Sequence, residues 1–239
     1  MNRTPHASWA EVYDLAYERS FGPLYRRLTD LTLRVISELC ASPSHIIDFG
    51  AGTGRLAIPL AREGHEVVAV DPCEAMLEQL RKKANGVEIV TECCSMSDFR
   101  SSKPADLALG VFTVLLYIQE EQELLESLSA VRSALKDGGR MLVDVATSAL
   151  FHGFEISDGL LTRQVTIQSC GAARYLYRES LEVTNPDGGV TRYDDEFVIR
   201  RWAADEVLEI ARASGFVIER DLSAEFAGSG SQYFLLQTE

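Results

Sequence analysis

The sequence predicts an α/β fold, a doubly wound, mostly parallel sheet with helices on both faces, joined by a small antiparallel insertion. Between residues 45 and 145, short apolar runs alternate with amphipathic segments, as expected of repeated βα units. After residue 149 this alternation stops, and extended segments follow one another with little helix between them. A chain of 239 residues is long enough for one such domain with its insertion.

The individual elements follow from local patterns. Residues 8–39 carry apolar and aromatic side chains at helical spacing, and the pair Gly22-Pro23 predicts a break into two helices. Core strands are predicted at 45–49, 67–70, 87–91, 106–111 and 140–145, with helices at 55–63, from residue 72, and at 119–135. The insertion contributes strands at 161–167, 174–183 and 190–202, and the chain closes with a helix at 204–213 and strands at 217–220 and 233–237.

The most informative stretch is residues 46–54, which read Ile-Ile-Asp-Phe-Gly-Ala-Gly-Thr-Gly. A buried strand here ends in glycines at alternate positions and opens into a helix. Glycine adopts positive φ freely and allows close approach of a ligand to the backbone. A dinucleotide-binding turn would read Gly-x-Gly-x-x-Gly, and counted from Gly50 its third glycine would fall on Arg55. The sequence therefore disfavours a nicotinamide-dependent oxidoreductase.

A second motif ends the next strand. Asp71 lies 21 residues beyond Gly50, where an acidic side chain can accept hydrogen bonds from two ribose hydroxyls. Both motifs fall at the carboxyl ends of neighbouring strands, which is the expected ligand crevice of an open parallel sheet. Together they predict a site for a nucleoside-containing cofactor.

Residues 46–145 resemble the class I S-adenosylmethionine-dependent methyltransferases, whose fold is Rossmann-like. The run Asp48-x-Gly50-x-Gly52-x-Gly54 is similar to the first motif of that family, and Val70-Asp71 to its second. The resemblance implies an enzyme that uses S-adenosyl-L-methionine, with the glycine loop against the methionine part and the acidic residue on the ribose. The residues that it assigns to these roles are Asp48, Gly50, Ala51, Gly52, Gly54 and Asp71.

The same resemblance implies an adenine pocket further along the chain. Pro72 and Met76 fall where the family lines this pocket, and residues 94–99 resemble the stretch whose first acidic residue contacts the adenine amino group. Ser95 replaces that acid, and its hydroxyl can still accept a hydrogen bond. Met96 and Phe112 complete the expected cofactor contacts. Core filling is an equally weighted interpretation of Met76 and Met96.

Three tyrosines are candidates for the substrate side. The helix carrying Tyr13 and Tyr17 resembles the N-terminal lid of small-molecule methyltransferases, including amino-sugar and glycine N-methyltransferases. The two rings are one turn apart on one face, so they pack on the core or cover the reacting centre. Tyr117 follows the fourth strand, in a segment without the Asn-Pro-Pro-aromatic signature that related enzymes use for adenine or amide nitrogens.

Composition narrows the classes of partner. The formal net charge of −13 disfavours nucleic acid, because a polyanionic backbone would be repelled. Five cysteines without paired short spacings and four scattered histidines predict neither a disulfide framework nor a metal site. With no signal peptide and no long apolar run, we expect a cytoplasmic protein without membrane attachment.

These observations predict four segments: an N-terminal helical lid at 1–44, a cofactor-binding core at 45–149, an antiparallel substrate wall at 150–202, and completion of the core sheet at 203–239. The predicted activity is in-line transfer of a methyl group to a small-molecule N or O nucleophile, with no residue assigned as an obligatory base. The alternative is a non-catalytic regulatory protein that binds S-adenosylmethionine or its product. The sequence predicts no oligomeric state.

Overall fold

The computed structural model describes residues 4–41 and 43–239. Its main sheet has seven strands in the order β10-β11-β5-β4-β1-β2-β3. The bounds of these strands are β1 His45–Phe49, β2 Glu66–Val70, β3 Val90–Glu92, β4 Ala105–Gly110, β5 Leu135–Ala146, β10 Phe216–Asp221 and β11 Ser231–Thr238.

The central strands of this sheet are parallel, because the connections between them return the chain to the edge at which each strand begins. β1 pairs in parallel with both β2 and β4, β4 pairs with β5, and β2 pairs with β3. All five residues of β1 are buried, as expected of a central strand covered on both faces. β11 runs antiparallel between β5 and β10, so the last strands complete the sheet at one edge. The predicted mostly parallel α/β fold is confirmed.

In the part of the chain that the structure describes, five α-helices flank the strands: α1 Tyr13–Leu39, α2 Ala57–Arg62, α3 Glu74–Ala84, α4 Glu121–Ala134 and α5 Ala204–Ala213. A 3-10 helix over Ala7–Val12 precedes α1, and another covers Val114–Tyr117 after β4. The predicted break at Gly22-Pro23 takes the form of a kink within α1, where Gly22 has φ 21° and ψ −97°. The predicted break is therefore confirmed, because two helical segments of α1 meet at the non-helical Gly22.

The insertion forms a second, antiparallel sheet in the order β6-β7-β8-β9. Its strands are β6 Phe154–Ser157, β7 Leu161–Gly171, β8 Arg174–Thr184 and β9 Val190–Arg200. Three of these strands were expected. β6 was missed because four residues are too short to show a clear alternation pattern.

Other boundaries also differ from expectation, and the first insertion strand, predicted at 161–167, extends to Gly171. The third strand was predicted at 87–91 but is confined to Val90–Glu92, after a turn in which Asn85 and Gly86 both have positive φ. The fifth strand begins earlier than predicted, because the segment around Gly138-Gly139 continues the strand from Leu135.

Within the described residues, three large buried apolar layers and one small cluster around Cys73 and Met76 hold the molecule together. Two lie on opposite faces of the main sheet, one including Phe49 and Trp202 and the other Ile46 and Tyr233. The third layer packs the N-terminal segment against the second sheet through Trp9, Ala16, Leu161, Leu181 and Val183. Within the described ranges, no helix combines the length and apolarity needed to cross a membrane.

Candidate active site

The glycine turn after β1 has an open face at its centre. Gly50, Gly52 and Gly54 all have positive φ, at 68°, 53° and 88°. A Cβ on Gly50 would come within 2.5 Å of a methyl group of Val114, so packing alone requires glycine there. A Cβ on Gly52 would meet nothing closer than a backbone oxygen at 4.0 Å. The turn thus exposes backbone at Gly52 to which a ligand can approach closely.

Asp71 fixes this turn from the end of β2. Its two carboxylate oxygens accept hydrogen bonds from the backbone N–H groups of Gly52 and Cys73, both at 2.8 Å. Burial raises the pKa of Asp71, and these two bonds oppose the rise. Each carboxylate oxygen can accept a further bond. The side chain can therefore hold the turn and accept ligand hydroxyls at the same time.

Asp48 lies buried near the carboxyl end of β1, next to the end of β2 where Asp71 lies. Burial raises the pKa of Asp48 to about 7, and the negative charge of Asp71 adds to the rise. Two buried carboxylates side by side favour a positively charged ligand, since a cation would offset both effects.

A recess opens beside the turn, and one arginine braces its wall. The recess is lined by Tyr13, Tyr25, Asp48, Gly50, Ala51, Gly52, Thr53, Arg55, Leu56, Val111 and Phe112. The Arg55 guanidinium lies 3.7 Å from the ring centre of Tyr25 and 3.5 Å from that of Phe112. It also donates to the Thr29 hydroxyl and the Tyr25 carbonyl, each at 2.7 Å. Arg55 therefore ties the turn to α1 and to the segment after β4.

That segment after β4 is held in a strained conformation. Phe112 and Thr113 have positive φ, 64° and 70°, which is uncommon for residues with a Cβ. The Thr113 backbone N–H donates to the Asp144 carboxylate at 2.8 Å. Burial raises the pKa of Asp144 to about 6. Consecutive strained residues of this kind cluster at functional sites.

The N-terminal part of α1 covers the recess and is latched to the glycine turn. The Thr53 hydroxyl donates to the Asp14 carboxylate at 2.6 Å, and the same carboxylate pairs with Lys83 on α3. The rings of Tyr13 and Tyr17 stack with centroids 4.3 Å apart. Tyr13 lines the recess, so the first turns of α1 form its roof.

The second sheet contributes a buried ion pair beneath these rings. Arg163 on β7 donates to Glu179 on β8 at 2.6 Å, and both side chains are 1% exposed. Arg163 also donates to the Ser20 hydroxyl of α1 at 3.0 Å and lies 4.7 Å from the Tyr17 ring centre. The Tyr177 hydroxyl donates to Glu179 at 3.2 Å. The pair therefore joins the second sheet to the helix that covers the recess.

The residues expected at the adenine side have varied environments. Pro72 is exposed, whereas Met76 packs in a buried cluster with Ala10 and Cys73. Met96 belongs to the main apolar layer. The Ser95 hydroxyl donates to the Asp98 carboxylate at 2.7 Å and accepts from the Asp98 backbone N–H at 3.1 Å. Ser95 thus stabilises its own turn, and the adenine contacts of these residues stay predictions.

Several side chains around the recess were not singled out in the sequence. Asp14 and Asp144 fall in a helix and a strand where a carboxylate usually faces solvent, and Arg163 and Glu179 resemble ordinary strand charges. Arg163 on β7 and Glu179 on β8 occur at strand positions whose neighbours two residues away are apolar. This is a weak signal that both side chains face inward. His6 is a further buried polar residue, 7% exposed, that precedes the first helix.

Comparison with known proteins places this geometry in a family. Residues 46–139 match the model of the methyltransferase domain family. A protein of Geobacillus sp. (strain WCH70), named only as a methyltransferase, is 28% identical over 192 residues, which cover 76% of each chain. The crystal structure of an S-adenosylmethionine-dependent methyltransferase from Clostridium acetobutylicum superposes with a TM-score of 0.83 at 18% identity, covering 95% of this chain and 98% of that one.

A second similar structure is that of an amino pentose methyltransferase of calicheamicin biosynthesis from Micromonospora echinaspora, solved with bound S-adenosylmethionine. It superposes with a TM-score of 0.75 at 17% identity, covering 95% of this chain and 97% of that one. Two other sequence relatives, each 28% identical and aligned over 44% of this chain, are a cypemycin N-terminal methyltransferase of Streptomyces sp. and a tRNA 5-carboxymethoxyuridine methyltransferase of Escherichia coli (strain K12).

The fold and the glycine-turn site define a nucleoside-cofactor enzyme of the Rossmann-like class. Residues 46–139 match a methyltransferase domain, a curated relative aligned over 76% of this chain is named a methyltransferase, and a solved structure with the same fold is that of an S-adenosylmethionine-dependent methyltransferase. This chain is an S-adenosylmethionine-dependent methyltransferase, and the expected cofactor of the family is confirmed. The open face of Gly52 and the buried carboxylates of Asp48 and Asp71 fit a cationic ligand with ribose hydroxyls.

Proposed function

We propose that this enzyme transfers the methyl group to a small-molecule acceptor through a nitrogen or oxygen nucleophile. The observation that carries this proposal is that the first turns of α1 cover the recess and are themselves packed against the second sheet. A covered recess suits a small molecule better than a folded macromolecule, and the net charge of −13 disfavours nucleic acid. The similar amino pentose methyltransferase supports the same substrate class.

In this proposal each segment has a task. Residues 1–44 act as a helical lid, 45–149 hold the cofactor, 150–202 form the acceptor wall, and 203–239 complete the sheet. S-adenosylmethionine, when bound, supplies a methyl group on a positively charged sulfur. Gly50, Ala51, Gly52 and Gly54 would receive its methionine part, and Asp71 its ribose hydroxyls.

The reaction is a single displacement. The acceptor's lone pair forms a bond to the methyl carbon while the carbon–sulfur bond breaks, and the electron pair of that bond stays on sulfur. Holding the reacting groups in line and excluding water supplies much of the rate enhancement in such a step. Tyr13 and Tyr17 exclude water from above, and an amine acceptor needs only to arrive unprotonated.

The phenols around the recess stay protonated during this step. Burial raises the pKa of Tyr13 and Tyr177 well above the ordinary value, and the neighbouring Tyr17 raises it further in both cases. A neutral phenol is a hydrogen-bond donor and a weak base. These groups therefore suit the orientation of an acceptor rather than removal of its proton.

The test is formation of S-adenosylhomocysteine with a panel of small amines, phenols and carboxylates. We expect turnover with at least one class, and loss of turnover in Asp71→Asn because an amide nitrogen would face a backbone N–H. Asp137→Asn is the matched control, since the side chain of Asp137 is 96% exposed. Tight S-adenosylhomocysteine binding without turnover on the panel, combined with methylation of a protein or RNA, would overturn the proposal.

A further inference from the structure

We propose that His6 sets the direction of the Tyr117 hydroxyl, and that this pair orients an oxygen-bearing group of the acceptor next to the atom that is methylated. This inference rests on the proposed function, because it assigns chemistry to the acceptor side of the proposed active site. His6 acts through Tyr117 and is a positioning residue.

The first step is the contact itself. The Nε2 atom of His6 lies 2.7 Å from the Tyr117 hydroxyl oxygen. His6 is fixed at its backbone, where its N–H donates to the Asp195 carboxylate on β9 at 2.6 Å. Its ring meets those of Trp9, Tyr13 and Phe197 edge-on, at centroid distances of 5.1, 5.7 and 5.1 Å. A ring held by four elements presents one fixed nitrogen to Tyr117.

The second step is the protonation state of the ring. Burial, with a contribution from the positive charge of Arg163, lowers the pKa of His6 to about 3. The other ionisable groups that face His6 are Asp195 on β9, Tyr13 on α1 and Tyr117 after β4. The imidazole is therefore neutral at physiological pH and carries one proton.

The third step places that proton. The Nδ1 atom of His6 is buried and has no hydrogen-bond partner among the described residues. An unpaired buried N–H is rarer than an under-satisfied acceptor, since the donor forfeits its only bond. The proton thus lies on Nε2 and is donated to the Tyr117 oxygen. The Tyr117 O–H then points away from His6.

The fourth step identifies what the O–H meets. Tyr117 has 38% of its surface exposed, yet desolvation raises its pKa well above the ordinary value, with Tyr17 and Tyr177 adding to the rise. The Tyr117 ring lies 5.8 Å from that of Phe197 on β9. Its hydroxyl meets His6, whose ring contacts Tyr13 of the recess lining. Tyr117 therefore lies between the second sheet and the residue of α1 that covers the recess.

The partner of a phenol O–H is a hydrogen-bond acceptor. It is not the attacking lone pair, because a hydrogen bond there would withdraw the electrons that form the new bond. The geometry therefore favours an acceptor molecule that carries a hydroxyl, carbonyl or carboxylate oxygen beside its nucleophile.

A nuclear magnetic resonance experiment on the whole chain tests the proton placement without any substrate. Histidine ring nitrogens are labelled with nitrogen-15, and the His6 signal is assigned by its loss in His6→Phe. We expect the Nε2–H form of a neutral ring, unchanged between about pH 5 and about pH 8. An Nδ1–H form, or protonation near the ordinary histidine value, would overturn the inference, whatever the fate of the proposed function.

Kinetics with an acceptor found on the panel test the consequence. His6→Phe and Tyr117→Phe should each raise the KM for the acceptor about three- to tenfold, the effect of one lost hydrogen bond. The double variant should be no worse than Tyr117→Phe, and His6→Gln, which can donate from a similar position, should recover part of the loss. Affinity for S-adenosylhomocysteine should not change.

Tyr193→Phe is the matched control for loosening of the N-terminal segment. The Tyr193 hydroxyl donates to Glu11 at 2.7 Å, so this variant also removes one bond between that segment and β9. We expect its KM to stay at the wild-type value. Equal effects of Tyr193→Phe and His6→Phe, or additive effects of the His6 and Tyr117 changes, would show that His6 acts only on packing.

Discussion

Asp48 and Asp71 give the cofactor site its electrostatic character. Two backbone N–H donors stabilise the Asp71 carboxylate in its charged form, whereas burial raises the pKa of Asp48 to about 7. The ionisation of Asp48 is therefore tied to what occupies the site. A cationic ligand would favour the carboxylate and promote loss of its proton near neutral pH.

The pH dependence of stability should reveal the raised pKa of Asp48. Its pKa is about 7 in the folded chain, above the ordinary value of 3.8, so the protonated group favours the folded state and that contribution is lost as pH rises toward 7. Between pH 5 and pH 8 we expect the wild type to lose about 2 to 3 kcal/mol of unfolding free energy relative to Asp48→Asn. Urea unfolding at both pH values measures this difference.

Asp144 contributes a similar slope through its own raised pKa, but it is present in both proteins and cancels in the comparison. Asp137→Asn serves as the control for loss of an exposed carboxylate. Parallel pH profiles for the wild type and Asp48→Asn would show that Asp48 is ionised in the folded chain throughout this range.

Among single residues, the sequence predicts those whose role depends on neighbours within a short segment of the chain. The positive φ of Gly50 and Gly52 and the place of Asp71 follow from a strand, a turn and a helix within one short segment. Asp14 and His6 act on partners 39 and 111 residues away, so no local pattern could reveal them. Ser95 shows the converse case, since the motif position is occupied by a side chain that bonds to its own turn.

Among the elements, α1 has the most direct bearing on access to the site. Its first turns are held by the Asp14 carboxylate, which accepts from Thr53 in the glycine turn and pairs with Lys83. The kink at Gly22 separates these turns from the rest of the helix, which packs on the main sheet. The two halves of α1 can therefore open with different free energies.

Asp14→Asn should loosen the lid without disturbing the core. Loss of the charged contact to Thr53 and Lys83 should speed amide hydrogen exchange in residues 13–21 about three- to tenfold. Hydrogen exchange with mass spectrometry measures this, and S-adenosylhomocysteine should slow the same segment. Glu18→Gln is the control, because Glu18 pairs with Arg26 of the same helix. Equal exchange in both variants would contradict a latch at Asp14.

Element boundaries were predicted well where periodicity was long and poorly where it was short. α5, β8 and β9 follow from patterns of ten residues or more, whereas β7 runs four residues beyond its predicted end at residue 167. β3 has three residues at the sheet edge, and Val90 is 51% exposed. A short strand with so little burial has no recognisable apolar pattern in its sequence.

For the whole molecule, the central question is how the second sheet is held against the lid. The sequence indicates an antiparallel insertion, but which face it packs on depends on contacts between distant segments. The pair of Arg163 and Glu179, with the bond from Arg163 to Ser20, supplies that contact. Aromatic rings of Trp9, Tyr17, Phe21 and Phe154 surround the guanidinium.

Removing one partner of this ion pair should lower the unfolding free energy far more than replacing both partners with apolar residues. Glu179→Gln leaves a buried guanidinium without its counter-charge, and we expect a loss of about 3 to 5 kcal/mol in unfolding free energy. The double change Arg163→Met with Glu179→Leu should lose much less. Glu182→Gln, which removes an exposed pair with Arg192 between β8 and β9, should cost under about 1 kcal/mol. Urea unfolding of the four proteins is the measurement, and equal losses for Glu179→Gln and Glu182→Gln would contradict the buried role.

The substrate class is tested most directly by following the methyl group itself. The enzyme is incubated with methyl-labelled S-adenosylmethionine and a cell extract that is afterwards separated by size, with Asp71→Asn as the inactive control. We predict that enzyme-dependent label appears in the small-molecule fraction and is absent with the variant. Label confined to the protein or RNA fraction would contradict a small-molecule acceptor.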